Sequence, residues 1–217
     1  RLVKGMKAYN GVAILSKVPF SATDVHHRCG REDCRHVEVA LDVGGDPILL
    51  DKLYIPAGGD EPDPAVNDKF AHKLDFYREM AAWYADRKPR PGARKGLRRV
   101  TLGDLNVAPL EHDVWSHKQL LKIVSHTPVE VELFGRLQAS LDWIDVPRRF
   151  VPADAKLYSW WSYRNADWRA SNRGRRLDHI LATPALSGAL AGYRIDVDAR
   201  DWDKASDHVP VLATFEV

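Results

Sequence analysis

At 217 residues and 45% hydrophobic content, the chain suits one large α/β domain and can fill a sizeable core. No apolar run approaches the roughly 20 residues a membrane span needs, no signal-like segment opens the sequence, and two cysteines are too few for a disulfide scaffold. A reducing, cytoplasmic setting is expected, and the net charge of +2 from 32 basic and 30 acidic residues announces no polyanion partner by itself, although an acidic pocket inside a basic rim gives the same total.

In chain order, Tyr9 to Ser16 (YNGVAILS) is a turn followed by an apolar run, Val12 to Leu15, expected as a core strand that Pro19 ends. His26 to His36 (HHRCGREDCRH) packs Cys29, Cys34 and three histidines into eleven residues. Zinc suits those ligands, but the spacing is loose and no second Cys pair follows. A solvated hairpin loop or a strained disulfide explains the same letters. Val37 to Val43 alternates as a half-buried strand, and Ile48 to Tyr54 reads as its hairpin partner. Asp63 to Arg87 is the clearest helix, capped by Asp63, with Pro64 at its first position and Phe70, Leu74, Tyr77, Ala81 and Tyr84 at helical spacing. Arg87 to Arg99 then gathers seven basic residues with two prolines and two glycines, the composition of a solvated loop.

Val100 to Leu102 reads as the end of a buried strand broken by Gly103. Asp104 and Asn106 follow two residues apart, on one face if the chain stays extended. A carboxylate and an amide converging there suit a hard cation, an attacking water, or both, while a plain turn uses the same residues. Leu110 to Leu121 is expected as a loop running into a helical turn. Pro128 to Trp143 is expected as a helix with Val131, Phe134, Leu137 and Leu141 on one face, and Ile144 to Val146 as the start of a short buried segment. Leu157 to Asn172 concentrates tryptophans and arginines; of Trp160 and Trp161, one should be buried and the other available. Arg175 to Thr183 reads as a strand carrying Asp178, an acid that must be paired by a histidine or a metal. Ser206 to Val211 delivers Asp207 and His208, projecting apart, into a last strand, Val211 to Val217. There are no internal repeats, so residues 1–217 are expected to form a single domain.

Three motifs stand in order: GDLNVAP (Gly103 to Pro109), RRLDHILAT (Arg175 to Thr183) and SDHVPV (Ser206 to Val211). With NGVAILSK (Asn10 to Lys17), Tyr54-x-Pro56 and WWSYR (Trp160 to Arg164), they resemble the exonuclease III / AP endonuclease family of the endonuclease–exonuclease–phosphatase superfamily. The resemblance implies a DNase I-like four-layer α/β sandwich, two packed mixed β-sheets flanked by helices. It implies a Mg²⁺-dependent phosphodiesterase, with Mn²⁺ as a substitute, that acts as a monomer on double-stranded DNA in base excision repair. Such an enzyme cuts 5′ to abasic sites and trims 3′ ends.

By the same resemblance, Asp104 activates the attacking water, and Asn106 holds that water or the phosphate. Asp178 orients His208, which steadies charge on the phosphate. Tyr54 reaches the scissile phosphate, and Trp160 with Arg164 meets the nucleotide. Metal ligands are expected among Asp104, Asn106, Asp207 and His208. Family members also begin with a strand bearing an Asn and carry a metal-gripping Glu on a later strand. Neither has a match here, so the chain is expected to lack the family's N-terminal strands, which keeps an inactive DNA-binding domain as one alternative. A relative acting on phosphoinositides, sphingomyelin or undamaged DNA is the other.

Overall fold

A computed structural model describes residues 1–7, 9–90, 96–165 and 167–217. The centre of the basic stretch expected as a loop, residues 91–95, lies outside the described residues. The chain opens with β1 (Leu2–Gly5) and β2 (Gly11–Ile14), an antiparallel pair. Val12 and Ile14 are buried while Leu15 is exposed, so this run is a half-buried edge pair and not the fully buried strand its composition suggests. The long hairpin of β3 (Phe20–Arg28) and β4 (Arg31–Leu41) follows, and β5 (Ile48–Tyr54) pairs with β4. The turn between β3 and β4 falls at Cys29 and Gly30, both at positive φ. Both cysteines are free, and among the described residues no metal-holding group forms there, so the hairpin reading of HHRCGREDCRH stands.

Helix α1 (Asp68–Ala85) starts four residues later than the sequence suggested, with its cap at Asn67 and not Asp63. Asn67 accepts from the backbone N–H groups of Lys69 and Phe70 while donating to the carbonyls of Gly58 and Glu61. That tie to the preceding loop favours Asn67 over Asp63, whose carboxylate accepts from the Ala65 amide in an isolated turn. Then come β6 (Arg99–Asp104), the short α2 (His117–Leu120), α3 (Pro128–Ser140), β7 (Ile144–Asp145) and α4 (Val146–Phe150). The chain continues through β8 (Trp160–Trp161), α5 (Trp168–Ser171), β9 (Gly174–Arg175) and β10 (Asp178–Ala182). It finishes with the β11 (Leu190–Ile195) and β12 (Val211–Phe215) pair.

The main sheet has six strands in the order β3-β4-β5-β6-β10-β7, mixed because β5 and β6 run parallel and the other pairs antiparallel. Alternation along each strand sorts the side chains onto two faces. Leu53 and Leu181 join the aromatics of α1 and the apolar face of α3 in the largest core cluster. Ile48, Val100, Ile180 and Ala182 point the other way, against Val211, Ala213 and Phe215 of β12. Val12 and Ile14 of β2 cover Val37 and Val39 on that same second face. The layered mixed-sheet architecture with flanking helices is therefore present, with β1–β2 and β11–β12 as separate two-stranded pieces of the second layer.

This sorting positions the site. Tyr54, Asp104 and Asp178 stand side by side in register across β5, β6 and β10, at the ends of these interior strands of the main sheet. Being even-numbered like Val100, Leu102, Ile180 and Ala182, the two acids share the inter-sheet face, at the point where the apolar packing gives out.

Candidate active site

Gly103 does not break β6. It lies within the strand at φ +141°, where a Cβ would fall 2.0 Å from the Leu53 carbonyl oxygen and 2.9 Å from the Lys52 amine. The strand ends one residue later, and Asn106 adopts a left-handed conformation (φ 53°). Asp104 and Asn106 thus meet through a turn and not along an extended chain. The Asn106 backbone N–H donates to Asp104 Oδ1 at 2.9 Å, and its amide Nδ2 donates to Asp104 Oδ2 at 3.0 Å and to the Ile55 carbonyl at 2.9 Å. Lys73 of α1 fixes the same turn from beneath, its amine bonded to the Asn106 carbonyl at 2.7 Å and to the buried Glu130 carboxylate at 2.5 Å.

Asp178 accepts from His208 Nδ1 at 2.8 Å and from Ser159 Oγ at 2.7 Å, through one oxygen, Oδ2. A carboxylate only accepts, so the His208 Nδ1 carries the proton and Nε2 faces the cleft, 3.9 Å from Asp104 Oδ2. Ser159 is fully buried and also receives the backbone N–H groups of Leu177 and Asp178. Sequence reasoning missed it, since nothing local marks a serine ahead of two tryptophans as the anchor of an acid nineteen residues away.

The electrostatics follow from crowding. Burial and the neighbouring Asp178 carboxylate push the Asp104 carboxyl up to about 6. Burial works to lower the His208 imidazole, but the hydrogen bond and charge of Asp178, with Asp104 and Asp207 behind it, push it up to about 9. Lys52 faces the same two acids from β5; burial lowers its amine, and their charges oppose that shift. Asp104, Asp178 and His208 can bring one ligand atom each to within 4.8 Å of one another, the one such group among the described residues. Two hard carboxylate oxygens in a crowded acidic pocket fit a cation such as Mg²⁺, which keeps several of its waters and needs few protein ligands.

Asp104 and His208 open into a cleft of about 1060 Å³, lined also by Tyr54, Asn106, Trp160, Arg164 and Arg175, while Asp178 does not line it and reaches it through His208. Trp161 is buried and Trp160 reaches the cleft. Asp207 departs from the metal-ligand expectation: its carboxylate accepts from Trp160 Nε1 at 2.9 Å, it lies outside the three-residue group, and it does not line the cleft. Alternation along the chain explains this, because Asp207 and His208 leave on opposite sides. Tyr54 stands beneath the Arg35 guanidinium, 4.9 Å from its ring centroid, and burial raises its phenol.

The sequence pattern of the Endonuclease/Exonuclease/phosphatase family matches residues 3–208. The chain is 27% identical over 220 aligned residues to an exodeoxyribonuclease III from Haemophilus influenzae, covering 98% of this chain and 79% of that protein. It is 38% identical over 212 residues to the DNA repair nuclease APEX1 of Danio rerio, covering 97% of this chain but 62% of that protein. Among solved structures, a Neisseria 3′ phosphatase, NExo, bound to a product DNA hairpin, superposes with a TM-score of 0.85 at 26% identity, over 100% of this chain and 79% of that one.

Proposed function

From the premise that the chain belongs to the Endonuclease/Exonuclease/phosphatase family, and to its exonuclease III / AP endonuclease branch of hydrolytic nucleases, we propose that it is a Mg²⁺-dependent DNA repair phosphodiesterase. It acts as a single domain and a monomer, in the reducing cytoplasm. Its substrate is double-stranded DNA, cut 5′ to abasic sites and trimmed at blocked or unblocked 3′ ends. No helix among the described residues is long and apolar enough to cross a membrane.

The observation that carries this reading is the convergence of Asp104, Asp178 and His208 beside Tyr54 at the ends of three adjacent strands. Asp104, poised near neutrality, takes a proton from the attacking water. Asn106, whose two amide N–H groups are already committed, presents its Oδ1 to that water and fixes its direction. The protonated His208, held by Asp178, whose carboxylate Ser159 in turn fixes, donates from Nε2 to a non-bridging phosphate oxygen, where charge accumulates in the transition state. The Tyr54 phenol donates to the same phosphate. Water oxygen joins phosphorus as the bond to the 3′ oxygen breaks, and that oxygen takes up a proton from solvent, leaving a 3′ hydroxyl and a 5′ phosphate. Asp104 and Asp178, with help from Asn106, would hold the divalent ion, which when bound supplies Lewis-acid charge on the phosphate oxygens. Asp207 serves by fixing the indole of Trp160, which with Arg164 meets the extrahelical sugar or terminal nucleotide.

The test is cleavage of four substrates with and without chelator: a duplex with one abasic site, a duplex with a 3′ phosphate, an intact duplex, and a phosphoinositide headgroup ester. Mg²⁺-dependent turnover of the first two, lost in Asp104→Asn, is expected. Preference for the headgroup ester, or DNA binding with no turnover, would overturn the assignment.

A further inference from the structure

Arg175 and Arg176 are neighbours in sequence and opposites in circumstance. Arg176 is fully buried and doubly paired, its guanidinium bonded to both oxygens of Asp113 and to Asp145. Arg175 lines the cleft. Its Nη1 donates to the Val124 carbonyl at 3.0 Å and to Ser125 Oγ at 2.8 Å, and its Nε has no partner. No ion pair to Arg175 exists among the described residues. Glu130 is the carboxylate whose charge reaches it, and that carboxylate is already taken by Lys73 at 2.5 Å and by the backbone N–H groups of Ser125 and Thr127. Removing a cation from water without a counter-charge is unfavourable. A cation so placed at the wall of a nuclease cleft is set for an anion that arrives with the substrate.

The strand register says where. Trp160 bridges to His208 on one side and pairs with Arg175 on the other. Two strand spacings separate the His208 and Arg175 backbones, about 10 Å in all. The Arg175 guanidinium lies 5.4 Å from the Trp160 ring centroid, covering the indole that faces the same cleft. Phosphates follow one another along a DNA strand at about 3.4 Å of axial rise, so a strand whose scissile phosphate sits at His208 brings a neighbouring phosphate within reach of a side chain on the next rows. We propose that Arg175 binds a phosphate flanking the scissile one, and so sets the register of the substrate strand in the cleft. This rests on the nuclease reading above and adds a specificity-determining residue to it.

The experiment is equilibrium binding in chelator, where no turnover occurs, of duplexes bearing one abasic site. Each flanking phosphate is replaced in turn by an uncharged methylphosphonate. Wild-type protein should lose affinity at one flanking position in particular. Arg175→Gln should show a slope of log affinity against log salt smaller by about one and no further loss from the methylphosphonate at that position. Arg175→Lys, which keeps the charge, should restore both. A merely structural role would weaken binding to every duplex alike, and that result, or an unchanged slope in Arg175→Gln, would overturn the assignment of Arg175. Wild-type protein that neither binds nor cuts DNA would instead end the nuclease reading itself.

Discussion

At the scale of single residues, the site is a contest between burial and charge. Asp104 is pushed up to about 6 and His208 up to about 9, so the reactive form, ionised acid with protonated imidazole, prevails between those values. The pH profile of kcat/KM should therefore be bell-shaped, with its acid limb moving to lower pH as Mg²⁺ is raised, because a cation favours the ionised carboxylate. Lys52 also favours that ionised form, so Lys52→Met should move the acid limb upward, and an unmoved limb would show that its charge does not reach Asp104. Ser159→Ala should leave the buried N–H groups of Leu177 and Asp178 without an acceptor and free Asp178 from one of its two donors. We expect a loss of about 1–3 kcal/mol in denaturant titration, together with a basic limb at lower pH as His208 loses its oriented partner. Asp104, Asn106, Asp178 and His208 were all legible in the sequence, because each sits in a short motif of reactive residue types. Ser159, Lys52 and Arg175 were not. Their roles come from strand register and from distant partners, and a serine or lysine on a strand carries no local mark of either.

At the scale of elements, the site depends on two strands that approach closely at Gly103. A Cβ there would fall 2.0 Å from the Leu53 carbonyl oxygen, at a φ that side chains avoid, so Gly103→Ala cannot be absorbed by a side-chain shift. The expected result is a loss of more than about 3 kcal/mol of stability and of activity together; retention of wild-type thermal stability would contradict the β5–β6 register. The sequence marked this glycine as a break because glycine usually is one in a strand. Its actual role, clearance for a neighbouring backbone, is visible only once β5 is known to lie beside it. The helix start is similar: Asp63-Pro64 has the right local chemistry, but Asn67 also holds the loop at Gly58 and Glu61. Lys73 and Glu130 join α1 and α3 beneath the Asn106 turn as a fully buried pair. Lys73→Met should lose roughly 3–5 kcal/mol by leaving the buried Glu130 charged without its ion-pair partner, and adding Glu130→Gln should recover part of it. Failure of the double variant to recover anything would mean that the lysine's bonds to the Asn106 and Ala57 carbonyls dominate.

At the scale of the whole molecule, a net charge of +2 conceals a cleft lined by Asp60 and Asp104 together with Arg164, Arg173 and Arg175. The balanced composition could not reveal that gathering, because it arises from which strand ends and loops meet. An α/β domain was readable from composition, alternating strands and one long helix, and its layered arrangement only from the resemblance of the ordered motifs to a known family. The division of the second layer into β1–β2 and β11–β12 was not, since hydrogen bonding between distant pairs leaves no periodic trace. Asp104 and His208 make the protein's stability depend on pH in a defined sense. A histidine raised from 6.5 to about 9 contributes stability that is complete below 6.5 and lost as pH rises through 9. An acid raised from 3.8 to about 6 contributes the reverse of the usual carboxylate: its ionisation, between about 4 and 6, removes stability. Without a divalent ion, both groups therefore lower the Tm as pH climbs from acid to alkaline. A divalent ion held by the ionised Asp104, as proposed above, would have to displace protons at low pH. Mg²⁺ should accordingly raise the Tm more at about pH 8 than at about pH 5, by the mass-action stabilisation of a ligand that binds only the folded state. Asp104→Asn should abolish most of that increment at both values while the protein remains folded. An increment of equal size at both pH values, or one that survives Asp104→Asn, would place the ion away from the Asp104–Asp178 pair and remove the physical basis for reading these strand ends as the reactive ones.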